Sequence, residues 1–443
     1  MLGKTEAQNQ KDIFQPLLMD FINMNHELVV LSQKINWILL EKEFSGLYSN
    51  TGAPSMPVRL MSGLLILKQL YDLGDETIME TYVRDPYMQY FCGEAHFQWK
   101  FPCDPSDLPH FRQRIGENGV EQIFKQSIHL FSKQMLEEEV CVDTTAQEKN
   151  ITFPTDTKLG VKIIKKCNKI AKTEGIEQRQ RYTRKVKEYL LLSRFNNHPK
   201  RKKQAKKAQR KIKTIASRLI GELERKLNAD KLALYQQEIN IFKKVLNQKR
   251  NDSNKIYSLH EPDVACIAKG KSDKPYEFGS KVSIARTKTS GIIVGVVNFK
   301  GNPHDSQTIE STLNQQQKLT GIRAKVAIVD RGYVKKTING TEILKPSNGK
   351  GLTDYQKRKN RKRFRRRAAI EPTISHLKHQ YRMKKNFLKG VIGDKINAMM
   401  AAAAWNFKKW MRMNRKLFLC LIYFLFQINT GELKLNEMRV GKD

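Results

Sequence analysis

Apolar residues alternate between helical and strand spacing along this chain. Over residues 13 to 47 they recur at helical intervals: Ile13, Leu17, Leu18, Phe21 and Ile22, then Leu28, Val29, Leu31, Ile35, Leu39 and Leu40. The break TGAPSMP follows at 51–57. Helical spacing resumes through VRLMSGLLILKQLYDLGDETIMETYVRDP, with GDET as a turn and Asp75 or Thr77 as the cap of the second helix. Past FPCDPSDLPHFRQRIG the pattern is helical again to about residue 137. Helices on short turns fit ordinary bundle packing or a DNA-binding module of helix-turn-helix character.

VCVDTTAQ (140–147) is a short β-rich run ending in Asp143. Residues 158–256 are rich in Lys and Arg, and Ile212, Ile215, Leu219, Leu223 and Leu227 are spaced by three and four. That predicts a long helical hairpin or short coiled coil inserted between strands. FGSKVSIART (278–287) and GIIVGVVNFKG (291–301), parted by KTS, predict a β-hairpin. A cap at Asp305 or Ser306 and a helix to about residue 320 follow, and AKVAIVDRGY (324–333) reads as a buried strand stopping at Asp330. EILKP suggests one more short strand; the segment around Glu371 and the Ala-rich 393–413 read as helix.

Composition narrows the partner. The 443 residues suit two or three domains, and a hydrophobic content of 40% is enough for real cores. With 81 Lys and Arg against 44 Asp and Glu, the formal charge is +37, an excess that calls for a polyanion, nucleic acid first. From Lys200 to Lys213 no acid interrupts the cations, so Lys202, Lys203, Lys206 and Lys207 are expected to meet DNA unless that face is merely solvated. The opening MLGKTEAQNQKD has no hydrophobic signal segment, and the apolar run LFLCLIYFLF (417–426) is too short to span a bilayer. It is expected to pack on the body or on a second subunit, and no membrane partner is expected. Six scattered cysteines without a Cys-x2-Cys pair point to reduced thiols in the cytoplasm rather than structural zinc.

The most informative stretch is RKRFRRRAAIEPTISHLKHQYRMKKNFLKG (361–390). One carboxylate, Glu371, stands among cations. On a helix wheel Phe364, Arg367, Glu371 and Lys378 fall within about 60° of one another, although Pro372 favours a helix start or kink there. An acid in that setting suits a metal ligand beside a phosphate backbone; the bland reading is a cap within a basic tail. Taken with Asp143 and Asp330, two strand-end aspartates and a helix-borne glutamate suit two-metal phosphoryl transfer, with Mg2+ ions about 3.5–4 Å apart. His260 and Glu261 are expected to be structural, Asp305 to cap, and His376 and His379 to lie at the surface or towards DNA.

VDTT around Asp143, IVDRGY around Asp330 and Phe364-x2-Arg367-x3-Glu371-x6-Lys378 together resemble the bacterial insertion-sequence DDE transposases of the IS-four/IS-five grouping. That family's signature is Tyr-x2-Arg-x3-Glu-x6-Lys, so the spacing is kept and Phe364 replaces Tyr, which removes a phenolic hydroxyl. The N-terminal GAPSMPVRLMSGLLILKQLYDLGDETIMETYVRDPYMQYFCG resembles the helical domain that precedes the family's core. The resemblance covers nearly the whole chain. It implies an α/β fold, a ribonuclease-H-like mixed sheet with flanking helices, interrupted by the basic helical insertion and preceded by an all-α domain.

The implied layout is a helical DNA-binding domain (1–137), a catalytic core (138–157 and 257–410), the insertion (158–256), and a C-terminal apolar helix and tail (411–443). The implied activity is cleavage at the element's ends and attack of the freed 3′-hydroxyl on target DNA. Asp143, Asp330 and Glu371 would be catalytic and hold two Mg2+ ions, with Mn2+ able to substitute. Arg367, Lys378, Phe364, Arg363, Arg365, Arg366 and Arg382 would contact DNA. Partners would be double-stranded DNA, both terminal inverted repeats and target, and a second copy of the chain, in a nucleoid-associated bacterial cytoplasm. A non-catalytic DNA binder and a ribonuclease-H-like nuclease that cuts without joining remain as alternatives.

Overall fold

The computed structural model describes residues 3, 15–49, 51–52, 54–249, 251–270, 274–346 and 351–429, with side chains to residue 415. The helical run expected over 13–47 is three short helices, α1 (Leu18–Phe21), α2 (Glu27–Lys34) and α3 (Trp37–Ser45); Ile13 lies outside the described residues. Two polar side chains divide it: the His26 ring accepts the Leu28 amide and Asn36 accepts the Leu39 amide, each starting a new helix. α4 (Val58–Leu70) is buried nearly throughout. α5 (Asp75–Tyr82) is capped by Thr77, whose hydroxyl accepts the Gly74 amide, while Asp75 turns to Lys68 and Arg112. α6 (Pro86–Cys92) starts on the Asp85 cap, and α7 (Asp107–His129) bends at Gly116.

β1 (Glu139–Lys149) does not end at Asp143 but runs six residues beyond it, because its partner strand pairs with it as far as Glu148. The insertion is four helices rather than one hairpin: α8 (Asp156–Thr173), α9 (Thr183–Leu192), α10 (Lys202–Lys226) and α11 (Ala229–Asn247). The pair α10–α11 keeps the expected hairpin, and α8 closes over the Ile212, Ile215 and Leu219 stripe to complete a core of its own. Then come β2 (Ala265–Ala268), β3 (Tyr276–Thr287), β4 (Ile293–Phe299), α12 (Asp305–Thr320) and β5 (Val326–Ile328). The chain continues as β6 (Thr337–Ile338), β7 (Thr341–Leu344), α13 (Asp354–Arg367), α14 (Ile370–Gln380), β8 (Lys385–Asn386) and α15 (Gly390–Asn429). The backbone of α15 carries the 417–426 run, whose side chains lie outside the described residues.

The strands form one mixed sheet. β4, β3 and β1 are antiparallel neighbours, and β5 and β7 continue from β1 in parallel. β2 shares the edge of β3 with β4, β6 pairs with β7, and β8 lies beside the far end of β1. Three antiparallel strands followed by two parallel ones, flanked by helices, is the ribonuclease-H-like α/β architecture that the resemblance implies.

A single apolar core runs from the N-terminal helices through one sheet face to α15. Its seam is polar and specific: the Asn406 amide exchanges hydrogen bonds with both backbone groups of Ile293, and Gln69 donates to the Tyr381 carbonyl at 2.6 Å. On the other face a small cluster, Cys141, Val326, Ile328 and Ile370, seats α14 on β1 and β5. No described helix is long and apolar enough to cross a membrane.

Candidate active site

Parallel pairing sets the site. Cys141 on β1 is in register with Ile328 on β5, so the residues two further along, Asp143 and Asp330, leave adjacent strands towards the same end of the sheet. Asp143 is largely enclosed (side chain 21% exposed), whereas Asp330, beyond the end of β5, is open (62%). Between them lies a cation. The Arg367 guanidinium is 3.3 Å from Asp143 Oδ2 and 3.9 Å from Asp330 Oδ2, and its Nε is buried without a hydrogen-bond partner among the described residues. Burial raises the pKa of Asp143, with Asp330 and Asp305 adding to the rise and Arg367 and the Thr144 amide opposing it.

Glu371 is placed differently. A turn at Ala368–Ala369, both with helical backbone angles, ends α13 and starts α14, so Phe364 and Arg367 lie on one helix and Glu371 and Lys378 on the next. The cause is local: Pro372 cannot supply an amide hydrogen inside a helix and is accommodated in the first turn of a new one. Ile370 is pinned in the Cys141 cluster, which seats the start of α14 on the sheet face over β1 and β5, but the Glu371 carboxylate itself is exposed. Among the described residues no three His, Cys, Asp or Glu side chains gather closely enough to hold a metal ion. The all-oxygen pair Asp143 and Asp330 still fits a hard divalent cation, and it already attracts a positive group.

The other expected residues divide by partner. Arg363, one turn before Arg367, pairs with Glu139 at 2.7 Å, and Arg382 pairs with Asp72 at 3.4 Å. Phe364 packs its ring against the Cys141 cluster. Lys378 turns to Glu277 on β3 at 3.5 Å and is half-buried, with burial lowering its pKa. Arg365 and Arg366 are exposed, as are Lys202, Lys203, Lys206 and Lys207 on the solvent side of α10. Glu261 pairs with Lys149 and accepts the Gly390 amide, a structural role, and His376 leans on Trp405.

Asp305, expected as a cap, and Tyr333 also lie beside the carboxylates. Asp305 does more than begin α12: its Oδ1 accepts the Thr144 hydroxyl at 2.8 Å and the Lys281 ammonium at 2.9 Å. Burial works against its charge, yet these hydrogen bonds outweigh it and bring its pKa below the ordinary value. The helix cap is His304, whose ring accepts the Ser306 amide. Ser306 accepts the Val334 amide at 2.9 Å, so one turn of α12 grips the strand bearing Asp143 and the loop after Asp330. Tyr333 is buried beside Asp143 and Asp305, and burial, with those two charges adding to it, raises its pKa. Only the turn-like NPHDS hinted at this, and the partners lie 161 and 28 positions away.

Residues 16–114 match a family model described as "Transposase domain (DUF772)", and residues 252–407 match one described as "Transposase DDE domain". The chain is 38% identical over 197 residues to an uncharacterized protein, ORF8 in the nfe locus, of Rhizobium meliloti; the match spans 43% of this chain and 95% of that protein. No solved structure matches.

Proposed function

The chain belongs to the insertion-sequence DDE transposases, and on that premise we propose that it cuts DNA at the ends of its element and joins the freed 3′-hydroxyl to target DNA in a Mg2+-dependent reaction. The observation that carries the proposal is Arg367 held between Asp143 and Asp330, two carboxylates delivered side by side by parallel strands. Transposases of this family generally use divalent metal ions. We assign Asp143, Asp330 and Glu371 as the groups that would hold two Mg2+ ions, with Mn2+ as a substitute. Held there, the ions would supply activation of the attacking water or hydroxyl and stabilisation of the leaving oxygen.

The chain's own residues hold and orient the DNA. α13 carries nine Lys and Arg against one Asp and has no buried residue, so it is a cationic rod that repels itself without a polyanion. Arg365 and Arg366 on it, with the lysine face of α10, fit phosphate contacts; the partners are terminal-repeat and target duplexes. Two DNA ends must be cut together, which suits a homodimer acting at the nucleoid in the cytoplasm.

One observation favours a second reading, DNA binding without catalysis: the Glu371 carboxylate is exposed, and among the described residues no three His, Cys, Asp or Glu side chains gather closely enough to hold a metal ion. The test is to incubate the full chain with Mg2+ and DNA carrying its own gene and flanks, then map cuts and joined products. Asp143→Asn, Asp330→Asn and Glu371→Gln should each lose cutting and keep binding. Cutting retained in all three would overturn the assignment, and no cutting by the unaltered chain would favour the second reading.

A further inference from the structure

The end of β3 holds a second guanidinium that the proposed reaction does not use. Arg286 lies across from Cys141, where the pairing of β3 with β4 shifts register between Ala285 and Arg286. Irregularities of this kind re-aim a side chain. The guanidinium fills the notch at Gly291, a left-handed turn residue (φ +72°) at which any Cβ would collide with Nη2.

Arg286 is only 9% exposed, and its Nε and Nη1 are enclosed without a hydrogen-bond partner among the described residues. Glu137 is the carboxylate whose charge reaches it, but both Glu137 oxygens are committed, accepting the Thr289 and Ser290 amides at 2.7 Å each. Burial, with the like charge of Arg366 adding to it, lowers the Arg286 pKa from its ordinary value. Arg286 is therefore a recessed guanidinium with idle donors, and Arg366, whose charge reaches it, is exposed on α13. An oxyanion with several acceptor oxygens satisfies that geometry, and among the described residues no carboxylate hydrogen-bonds Arg286 Nε or Nη1.

Cys141 precedes Asp143 by two residues, roughly 7 Å along the strand, and Arg286 is one strand over, a further step of about 5 Å. We propose that Arg286 and Arg366 form an anion subsite that takes one phosphodiester of the bound strand, beside the phosphate presented to Asp143 and Asp330. The choice of a DNA phosphate over a free phosphate rests on the transposase reading; the subsite does not.

The test measures binding, so it stays readable even if no cutting is found. Affinity for a short random-sequence duplex is followed against KCl concentration for the unaltered chain, Arg286→Gln, Arg366→Gln and the double variant. Each single change should lower the slope of log K against log salt by about one, and the double change also by about one, because both residues serve the same phosphate. A loss of about two in the double variant would put them on separate phosphates and overturn the shared subsite. So would an unchanged slope in a folded Arg286→Gln. If that variant does not fold, Arg286→Lys keeps the charge and loses the fork; it should keep the slope and weaken binding several-fold, and unweakened binding would overturn the proposal. Inorganic phosphate that raises the melting temperature of the unaltered chain but not of Arg366→Gln, with duplex slopes unmoved, would mark a free-anion site and overturn the assignment to DNA.

Discussion

Arg367 donates to Asp143 across 3.3 Å, and through that contact a guanidinium stands where the proposed cation would bind. The same Nη2 is 3.9 Å from Asp330, so one positive charge lies between two carboxylates while its own Nε has no hydrogen-bond partner among the described residues. The expected consequence is competition. Arg367→Ala should bind Mn2+ about tenfold tighter without DNA, about 1.4 kcal/mol, while losing affinity for duplex. In the unaltered chain, adding duplex should tighten Mn2+ binding as phosphate draws Arg367 away. Mn2+ titration by electron paramagnetic resonance checks both, and an Mn2+ affinity indifferent to Arg367 would show that the guanidinium does not compete.

The α12 clamp predicts a separation between folding and positioning. Ser306→Ala frees the Val334 amide and should speed its hydrogen exchange about tenfold, with little change in melting temperature. Asp305→Ala strips the Thr144 hydroxyl and the Lys281 ammonium of a shared acceptor and should cost about 1–3 kcal/mol in a denaturant titration. Equal exchange at Val334 in both proteins would remove the clamp from consideration.

Asp75 makes the N-terminal helices acid-sensitive. Its carboxylate accepts from Lys68 at 2.5 Å and from Arg112 at 2.7 and 2.8 Å. Burial opposes the charge, but these cations overcome it and lower the pKa from 3.8 to about 2. A depressed acid contributes stability that is complete above its unfolded pKa and is lost as pH falls through the folded one. The window is therefore from about pH 4 down to about 2, and the loss is on the order of 1–2 kcal/mol. Asp75→Asn should flatten this arm of the stability–pH curve and, by stranding two buried cations, cost about 3 kcal/mol at neutral pH.

The lysine face of α10 offers a test on a larger scale. Replacing Lys202, Lys203, Lys206 and Lys207 together by Gln should leave the insertion folded, because Ala205, Ala208 and Ile212 on the buried side are untouched. The slope of log K for duplex against log salt should fall by about three to four. An unaltered slope would make the face a solvated one.

Local chemistry was enough to specify much of this protein from its sequence. Strand periodicity foretold the β3–β4 hairpin, a three- and four-residue stripe foretold the α10 core face, and cation blocks pointed to a polyanion. Each of these signals lies within a few neighbouring residues. Three things required the tertiary structure. Whether Asp143 ends a strand depends on β3, more than a hundred residues later, pairing past it. Whether Arg367 and Glu371 share a face depends on the turn between α13 and α14 and on Ile370 being seated over Cys141. That Arg363 and Lys378 turn to Glu139 and Glu277, and that Asp305 holds Thr144, depends on which distant acids and hydroxyls the sheet brings within reach. Spacing along a chain fixes which residues can share an element; pairing between elements decides which charge each one meets.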